Sequence, residues 1–412
     1  MEVKMSKSIT IVGIGMGNPD LLTKEVRCAL LDAELIIGAK RMKDALPKNC
    51  RAQYHETYDG KEIYSIISKT ECENIVICMS GDSGFYSGTK GLVSLLEKEY
   101  EVNIMAGISS ISYLAAKSGI SWQDACIVSL HGRKENWIQA VKSHEKTFLL
   151  MGGSLRTIVE KLCMAGLREC KLVIGIRLSY PDEKIITAKA GTLLDRGDKL
   201  EGIDTALSVL FIINEQAGRA AASFGIADDK FIRGQAPMTK SEVRAVTMSR
   251  LRLKENAVAY DIGAGTGSVS VEMAAQAWRG TVYAVESSPK ALELLYANRE
   301  GFIADNLEII EGKAPEALLK LPAPDTVFIG GSKGKKEEIL AAVLQKNPSV
   351  HIVMNLISLE SLSETLALVK AYGLENLEIT QIAAARGREI AGQHLMEGLN
   401  PVFIVSMDGK GA

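Results

Sequence analysis

Short apolar runs alternate with amphipathic stretches along most of the chain. The runs Ile9–Ile14 and Ile75–Met79 have the length and composition of buried strands. Between them, apolar residues from Leu22 to Ala33 recur at helical spacing, and a further strand is predicted at Glu34–Gly38. This alternation of strands with helices predicts an α/β fold.

The pattern is interrupted near residue 215. Asn214–Lys230 is rich in alanine and glycine and contains no clear strand. We therefore predict a first domain at 1–215, a linker at 216–230 and a second domain at 231–412. Within the first domain a new set of strands begins at Cys126–Leu130, which predicts two subdomains that divide near residue 120.

The second domain begins with a predicted helix at Lys240–Leu251 and a strand at Val258–Tyr260. At least four strand–helix units follow, and Glu378–Ile382 and Val402–Val405 then form a predicted antiparallel pair. The strands of the four units are predicted at Thr281–Ala284, Leu307–Ile310, Thr326–Ile329 and Ile352–Asn355. This order predicts a Rossmann-like sheet.

A glycine-rich segment, Asp261–Ser268, closes the strand at Val258–Tyr260. Its alternate glycines lack a Cβ, so backbone N–H groups can approach a ligand closely at a strand-to-helix turn. The next strand ends in Glu286, whose carboxylate can accept both hydroxyls of a ribose. These features indicate a site for a cofactor that contains adenosine.

The segment differs from the dinucleotide fingerprint. The place of the third glycine holds Ser268, and Asp261 precedes the loop. An acidic group would repel a pyrophosphate but suits a cationic ligand without phosphate. The segment resembles motif I of class I methyltransferases, which bind S-adenosylmethionine.

Another glycine-rich turn lies near the start of the chain. Three alternate glycines at Gly13–Gly17 follow the first strand, and Pro19 delays the next helix. Taken alone, such a turn is usually a tight connection. A second loop, Ser80–Ser87, also follows a buried strand and contains a Gly-Asp pair. Together the two loops resemble those of the tetrapyrrole methylase family.

Further motifs extend this resemblance. Ala106–Ser110, Ser129–Arg133 and Arg177–Asp182 match the branch of that family which acts at C5 of the corrin precursor. In the second half, Gln235–Arg244, the loop at Asp261–Ser268, Glu311–Glu316 and Asp325–Ser332 resemble the C15-methylating, decarboxylating enzymes of the same pathway. The order of the halves matches the family of fused precorrin-6B (or cobalt-precorrin) C5,C15-methyltransferases of cobalamin biosynthesis.

The resemblance implies methylation at C5 by the first domain, and methylation at C15 with loss of the C12 acetate carboxyl by the second. It also implies one S-adenosylmethionine in each domain. In the first domain the implied cofactor-binding residues are Gly13, Gly15, Pro19, Gly81, Asp82, Ser109, Ser110 and Met151. In the second they are Thr239, Asp261, Gly263, Ala264, Gly265, Thr266, Gly267, Glu286 and Ala314. The family usually has an acidic residue where Lys313 stands, so we expect altered contacts near the adenine.

The tetrapyrrole substrate carries many carboxylates, so cations are expected around it. Candidate substrate-binding residues are Arg133, Lys240, Arg386 and Arg388. The group Lys333, Lys335 and Lys336 is a further candidate, but the favoured interpretation is that these lysines begin the helix predicted at Glu337–Leu344 on a solvated face. Methyl transfer to an electron-rich carbon requires alignment and exclusion of water rather than an activated nucleophile, and no catalytic side chain is identified.

Bulk properties narrow the class of protein. The 412 residues carry a formal charge of −2, which gives no electrostatic footprint for nucleic acid. The seven cysteines form no metal-ligand pattern and are expected to be reduced thiols. No apolar run reaches the roughly 20 residues of a membrane helix. We expect a cytoplasmic homo-oligomeric enzyme that does not bind a membrane.

Three alternatives remain open from the sequence. An RNA methyltransferase shares both folds but would favour a basic face. A protein that binds S-adenosylmethionine without catalysis would have the same loops. A dehydrogenase is disfavoured because both glycine-rich turns lack the third glycine of the fingerprint.

Overall fold

The computed structural model describes residues 7–131, 134–197, 207–218 and 224–411. It contains two compact units. The first comprises the described residues of Met1–His131, Lys146–Cys163 and Leu167–Ile213. The second comprises those of Gly132–Glu145, Met164–Gly166 and Asn214–Ala412, so two segments from the first half of the chain group with the second unit.

The first unit begins with a five-stranded parallel sheet in the order β3-β2-β4-β1-β5. Its strands are β1 (Ser8–Gly13), β2 (Leu35–Gly38), β3 (Gln53–Glu56), β4 (Asn74–Met79) and β5 (Glu101–Met105). Its helices are α1 (Lys24–Asp32), α2 (Gly60–Lys69), α3 (Thr89–Leu96) and α4 (Ser110–Ser118). Apolar cores fill both faces of this sheet, which explains why its central strands read as continuous apolar runs.

A second sheet in the same unit has the order β6-β7-β10-β8-β9 and is mostly antiparallel. Its strands are β6 (Cys126–Ser129), β7 (Lys146–Leu150), β8 (Lys171–Ile176), β9 (Lys184–Lys189) and β10 (Ser208–Ile213). The intervening helices are α5 (Trp137–Ser143), which groups with the second unit, α6 (Leu155–Met164) and α7 (Ala190–Asp195).

The second unit contains a seven-stranded sheet in the order β13-β12-β11-β14-β15-β19-β16. Its strands are β11 (Val258–Ile262), β12 (Thr281–Glu286), β13 (Leu307–Glu311), β14 (Thr326–Ile329), β15 (His351–Leu356), β16 (Glu375–Ile382) and β19 (Val402–Asp408). The separate strands β17 (Ala385–Ile390) and β18 (Gln393–Gly398) form a hairpin. The helices are α8 (Ser241–Leu251), α9 (Ser268–Gln276), α10 (Pro289–Gly301), α11 (Lys336–Lys346) and α12 (Leu359–Tyr372).

The predicted α/β fold class is confirmed, with two sheets in the first unit and a Rossmann-like, mostly parallel sheet in the second. Two details differ from the sequence prediction. The β17–β18 hairpin was not predicted, because its residues are largely exposed and show no apolar alternation. Part of the predicted linker is also held in place, since the N–H groups of Gly225 and Ile226 both donate to the buried Glu272 carboxylate at 2.9 Å.

Candidate active site

The loop between β11 and α9 requires glycine for steric reasons. Gly263, Gly265 and Gly267 all have positive φ angles, of 77°, 58° and 79°. A Cβ on Gly263 would lie 2.6 Å from the carbonyl oxygen of Gly331, and one on Gly267 would lie 2.3 Å from Leu295 Cδ1. The close approach of the neighbouring elements, together with the left-handed backbone, therefore fixes the glycine pattern of this loop.

Glu286 stands at the end of β12 directly beside the loop. Its Oε2 accepts from the Gly265 N–H at 2.9 Å, and its Oε1 accepts from the N–H groups of Ser287 and Ser288 at 2.7 and 2.8 Å. A carboxylate offers about four acceptor positions, so backbone donors already use most of them. The carboxylate thus shapes the loop, and it has less capacity for ribose hydroxyls than the sequence suggested.

Asp261 does not face a ligand space, contrary to the expectation from the sequence. Its side chain is fully buried and accepts from the Ser270 hydroxyl through Oδ2, while Oδ1 has no partner among the described residues. Burial, and after it the charge of nearby Glu286, raises the pKa of Asp261 from 3.8 to about 7, against the lowering effect of Ser270. Asp261 therefore has a structural role in the packing beneath the loop and does not bind a ligand.

Two cavities meet at this loop. The large cavity has a volume of about 970 Å³ and is lined by residues 235–240, the glycine loop and the base of the β17–β18 hairpin. The small cavity has a volume of about 150 Å³ and includes Lys313 and Ala314 in its wall. Glu286 and Lys333 line both. The sequence-predicted residues Thr239, Lys240, Gly263, Ala264, Gly265, Thr266 and Glu286 line the large cavity.

The residues around the loop fit S-adenosylmethionine better than a nucleotide with a pyrophosphate. The N–H groups of Gly263 and Ala264 donate to the Val285 carbonyl, and that of Gly265 donates to a carboxylate, so none of these three is left for a phosphate. The Thr266 hydroxyl is buried, has no partner among the described residues, and belongs to a residue in the cavity wall. The anionic Glu286 suits a ligand with a positive charge.

Lysines on three separate segments line the large cavity: Lys240, Lys290 and Lys333. Lys290 donates to Gln235 Oε1 at 3.1 Å, and Lys333 donates to the Ser287 hydroxyl at 2.7 Å. Lys290 was not singled out from the sequence, where it is one of many lysines on a helix. Its place in the first turn of α10, directly after the strand that ends in Glu286, was the available signal.

The other lysines of the predicted group have separate environments. Lys335 pairs with Glu316 at 2.8 Å. Lys336 is not on a solvated face, because its buried ammonium donates to Ser361 and Glu364. The prediction that these lysines begin a helix is correct for Lys336, where α11 begins; Lys335 is the N-cap of that helix, and Lys333 lies in the preceding turn with a φ of 48°.

Arg386 differs from its predicted role as a substrate ligand. Its guanidinium donates to both carboxylate oxygens of Glu242, to Asp228 Oδ2 and to the Ser241 hydroxyl. These hydrogen bonds within the protein occupy the guanidinium, so it does not serve as a ligand for substrate carboxylates. Arg388 is exposed on the hairpin, 4.0 Å from Glu397. Neither arginine lines the large cavity.

Three glycines meet at the carboxyl edge of the first sheet. A Cβ on Gly13 would lie 2.6 Å from Gly107 N and 2.8 Å from Gly81 O, and one on Gly107 would lie 2.3 Å from Gly81 O. Gly15 and Gly81 exchange backbone hydrogen bonds of 3.0 and 2.6 Å. The two predicted loops are thus joined directly by hydrogen bonds. Gly107 is the third glycine of this junction, and it was not singled out from the sequence within the Ala106–Ser110 motif.

The remaining predicted residues of the first unit have contacts within the protein. The Asp82 carboxylate accepts from the N–H groups of Gly84 and Gly107 at 2.8 and 3.0 Å, which ties the loops together. Ser109 caps α4, which begins at Ser110. Pro19 lies in a short 3₁₀ helix, and Met151 is buried with its carbonyl oxygen 3.1 Å from His131 Nδ1. Arg133 lies outside the described residues.

Tyr180 lies in the Arg177–Asp182 motif but was not singled out from the sequence. Its ring occupies the space over Gly17, where a Cβ would lie 2.6 Å from the ring, and Arg177 stacks on the same ring with its Cζ 4.8 Å from the centroid. Tyr180 therefore packs against the first glycine-rich loop.

In the part of the chain that the structure describes, no cluster of three or more histidine, cysteine, aspartate or glutamate residues has the arrangement of a metal site. The helices described there all lack the length and apolar character needed to cross a bilayer.

Two family models match the chain. Tetrapyrrole (corrin/porphyrin) methylases match residues 8–194, and the precorrin methyltransferase domain matches residues 230–408. A probable cobalt-precorrin-6B C(15)-methyltransferase (decarboxylating) of Pyrobaculum calidifontis is 42% identical over 188 residues, which cover 45% of this chain and 96% of that protein. The chain belongs to the family of decarboxylating precorrin methyltransferases.

Another relative is named for methylation at both C5 and C15. The precorrin-6Y C(5,15)-methyltransferase (decarboxylating) of a Sinorhizobium species is 26% identical over 351 residues, or 83% of this chain and 82% of that protein. The crystal structure of a precorrin-6Y C5,15-methyltransferase from Geobacter metallireducens has 37% identity and a TM-score of 0.43, over 45% of this chain and 98% of the other. The predictions of a methyltransferase and of cobalamin biosynthesis are confirmed.

Proposed function

We propose that the chain methylates a corrin precursor at C5 and C15 and removes the carboxyl of its C12 acetate, with one S-adenosylmethionine bound in each half. The first half, at residues 8–194, would act at C5, and the second, at residues 230–408, at C15 and in the decarboxylation. The support for this division is that two different methyltransferase family models match the two halves, and that a relative named only for C(15) methylation and decarboxylation matches 45% of this chain, the size of one half.

The large cavity is the observation that carries the proposal for the second half. It opens beside a glycine loop whose neighbouring acid is Glu286, and three lysines from separate segments line it. A polycarboxylate acceptor needs several cations at different places around a wide space. A small neutral acceptor would need neither this volume nor this charge.

The residues of the loop and the small cavity would hold the cofactor. Glu286 lines both cavities and keeps acceptor capacity for hydroxyl groups of the cofactor, Thr266 lines the large cavity, and Ala314 lines the small one. When bound, S-adenosylmethionine supplies a methyl group on a positively charged sulfur. Lys240, Lys290 and Lys333 would orient the acceptor's carboxylates, and the apolar residues Met238, Phe328 and Val402 would exclude water.

Decarboxylation requires an electron sink next to the departing carboxylate, and the protonated conjugated ring of the substrate can serve. The chain's contribution is then the orientation of the C12 acetate. The lysines of the large cavity are suited to hold the other carboxylates while that one faces the apolar wall.

The direct test is incubation of the purified chain with S-adenosylmethionine and precorrin-6B, or its cobalt form, followed by mass spectrometry. The expected product has gained two methyl groups and lost one carbon dioxide. Methylation of a transcript RNA in place of the tetrapyrrole would overturn the proposal and favour the RNA methyltransferase alternative. Binding of S-adenosylmethionine without turnover of either substrate would favour a sensor.

A further inference from the structure

Two walls of the large cavity come from segments far apart in the sequence. One wall is residues 235–240, which lead into α8, and the other includes Ala384 and residues 398–400 at the base of the β17–β18 hairpin. The Leu399 N–H donates to the Ala384 carbonyl at 2.8 Å, which closes the base of the hairpin. The β17–β18 pair forms its own two-stranded sheet, separate from the seven-stranded one.

Arg386 joins these walls. It lies two residues after Ala384, and its Nε and Nη2 donate to the two carboxylate oxygens of Glu242 at 2.7 and 2.5 Å. Glu242 is the second residue of α8 and follows Lys240 of the opposite wall by two positions. A bidentate pair of this kind fixes both the distance and the orientation of its partners.

The pair is anchored to a buried network. Asp228 is buried and accepts from Arg386 through Oδ2 at 2.9 Å and from Arg244 through Oδ1 at 3.4 Å. Arg244 is fully buried, donates to Glu272 and donates to the Thr239 carbonyl oxygen at 2.5 Å. The cavity-lining residue Thr239 and the hairpin are therefore connected through Arg244, Asp228 and Arg386.

We propose that Arg386 is a positioning residue, which holds the base of the hairpin against the start of α8 and so sets the width of the cavity for the tetrapyrrole acceptor. The proposal rests on the proposed function for the identity of the acceptor. The Arg386–Glu242 pair includes no residue of the glycine loop or the small cavity, and the implied cofactor residue Thr239 is held by Arg244 rather than by Arg386, so the affinity for S-adenosylmethionine should depend little on the pair.

The variants are Arg386→Gln, Glu242→Gln and the double variant, with Arg252→Gln as the matched control. Arg252 pairs with Glu378 at 2.9 Å and lies at the opposite end of α8, outside the cavity wall. Arg386→Lys is the second variant at the site, because lysine keeps the charge but cannot form the two parallel hydrogen bonds. It also serves if Arg386→Gln does not fold.

Both single variants should raise the KM for the acceptor about tenfold, the ratio that corresponds to loss of about 1.4 kcal/mol. The Kd for S-adenosylmethionine and kcat should stay within about twofold, a free-energy change well below that of one lost charged hydrogen bond. The double variant should be no worse than either single variant, because the two groups act as one unit. Arg386→Lys should resemble Arg386→Gln, and Arg252→Gln should resemble the wild type.

Hydrogen exchange of the wild type and Arg386→Gln, each with S-adenosylhomocysteine, gives a readout that does not need turnover. Exchange should increase in residues 235–240 and 384–400 but not in the loop at 263–267. An unchanged KM with unchanged exchange would overturn the proposal, as would additive effects in the double variant. Parallel loss of acceptor and cofactor binding would instead mark a purely structural ion pair. If the wild type itself fails to methylate the tetrapyrrole, the proposed function fails, while the exchange result still decides the role of Arg386.

Discussion

At the scale of single residues, the carboxylates beside the glycine loop of the second unit differ in role. Glu286 receives three backbone N–H groups and lines both cavities. Asp261 lies beneath the loop without access to either. The sequence predicts both acids from their spacing relative to the strands. It does not predict which one is buried, because that depends on the packing of α9 over β11.

Replacement of Glu286 by glutamine should weaken binding of S-adenosylmethionine to the second half. In glutamine, an amide nitrogen replaces one of the two carboxylate oxygens. This nitrogen cannot accept a hydrogen bond from a backbone N–H group, so the loop loses at least one hydrogen bond that holds it. We expect a loss of about 1–3 kcal/mol, as for hydrogen bonds to a charged group. Calorimetry of the full chain measures it, with Glu311→Gln as the control at the end of the neighbouring strand. Equal weakening of both cofactor sites would point to misfolding instead.

Asp261 should make stability depend on pH. Because its pKa in the folded chain is about 7 and its ordinary value is 3.8, folding favours the protonated form. The stabilising contribution of this proton is fully present below pH 3.8 and is lost as the pH rises through about 7. In urea unfolding at pH 5 and pH 8, Asp261→Asn should therefore lose less stability than the wild type between those two pH values. The exposed control Asp229→Asn should keep the wild-type dependence, and an unchanged dependence in Asp261→Asn would refute the assignment.

At the scale of elements, β1 and the loops after β4 and β5 can meet closely because glycine, which has no side chain, stands at Gly13, Gly81 and Gly107. Gly13→Ala would place a methyl group 2.6 Å from Gly107 N, so the backbone would have to move to make room for it. We expect a loss of about 1–3 kcal/mol in stability, as for overpacking, and weaker cofactor binding in the first half. Thermal unfolding and calorimetry measure the two effects.

Gly91→Ala is the matched control for this substitution. Gly91 lies in α3, and a Cβ there would have no atom within 4 Å. Alanine should stabilise the helix by up to about 1 kcal/mol. Destabilisation by both substitutions would show that steric contact at the junction is not the cause.

The elements of both units follow the sequence closely where apolar periodicity is strong. The strand predicted at Thr326–Ile329 has those bounds, and the helix predicted at Lys240–Leu251 begins one residue later. The hairpin that carries Arg386 had no such signal, since its exposed strands carry mixed residues. The ion pairs of Arg386 join positions 144 and 158 residues apart, and local pattern contains no information on such pairing.

At the scale of the whole molecule, two cofactor sites should act independently. The wild type should bind about two S-adenosylmethionine molecules per chain, one for each of its two unlike glycine-rich turns. Gly265→Arg should reduce this to one, because Gly265 lines the large cavity at a φ of 58°, and an arginine there would enter the ligand space.

The same variant should stop C15 methylation and carbon dioxide release while C5 methylation of a C15-methylated intermediate continues. Product masses distinguish these outcomes. Loss of C5 activity in a folded sample of Gly265→Arg would contradict independent sites. A wild-type stoichiometry of one would contradict the assignment of a cofactor to each half.

The placement of β19 has a consequence for how the protein is made. This strand comes last of the seven in the chain, yet in the sheet it lies between β15 and β16 and pairs with both. While a ribosome is still adding residues 402–408, β15 has one open side and β16 has no neighbour. The sheet of the second unit therefore cannot be completed during most of translation, and a premature stop codon as late as position 400 would release a chain with two unmatched strands.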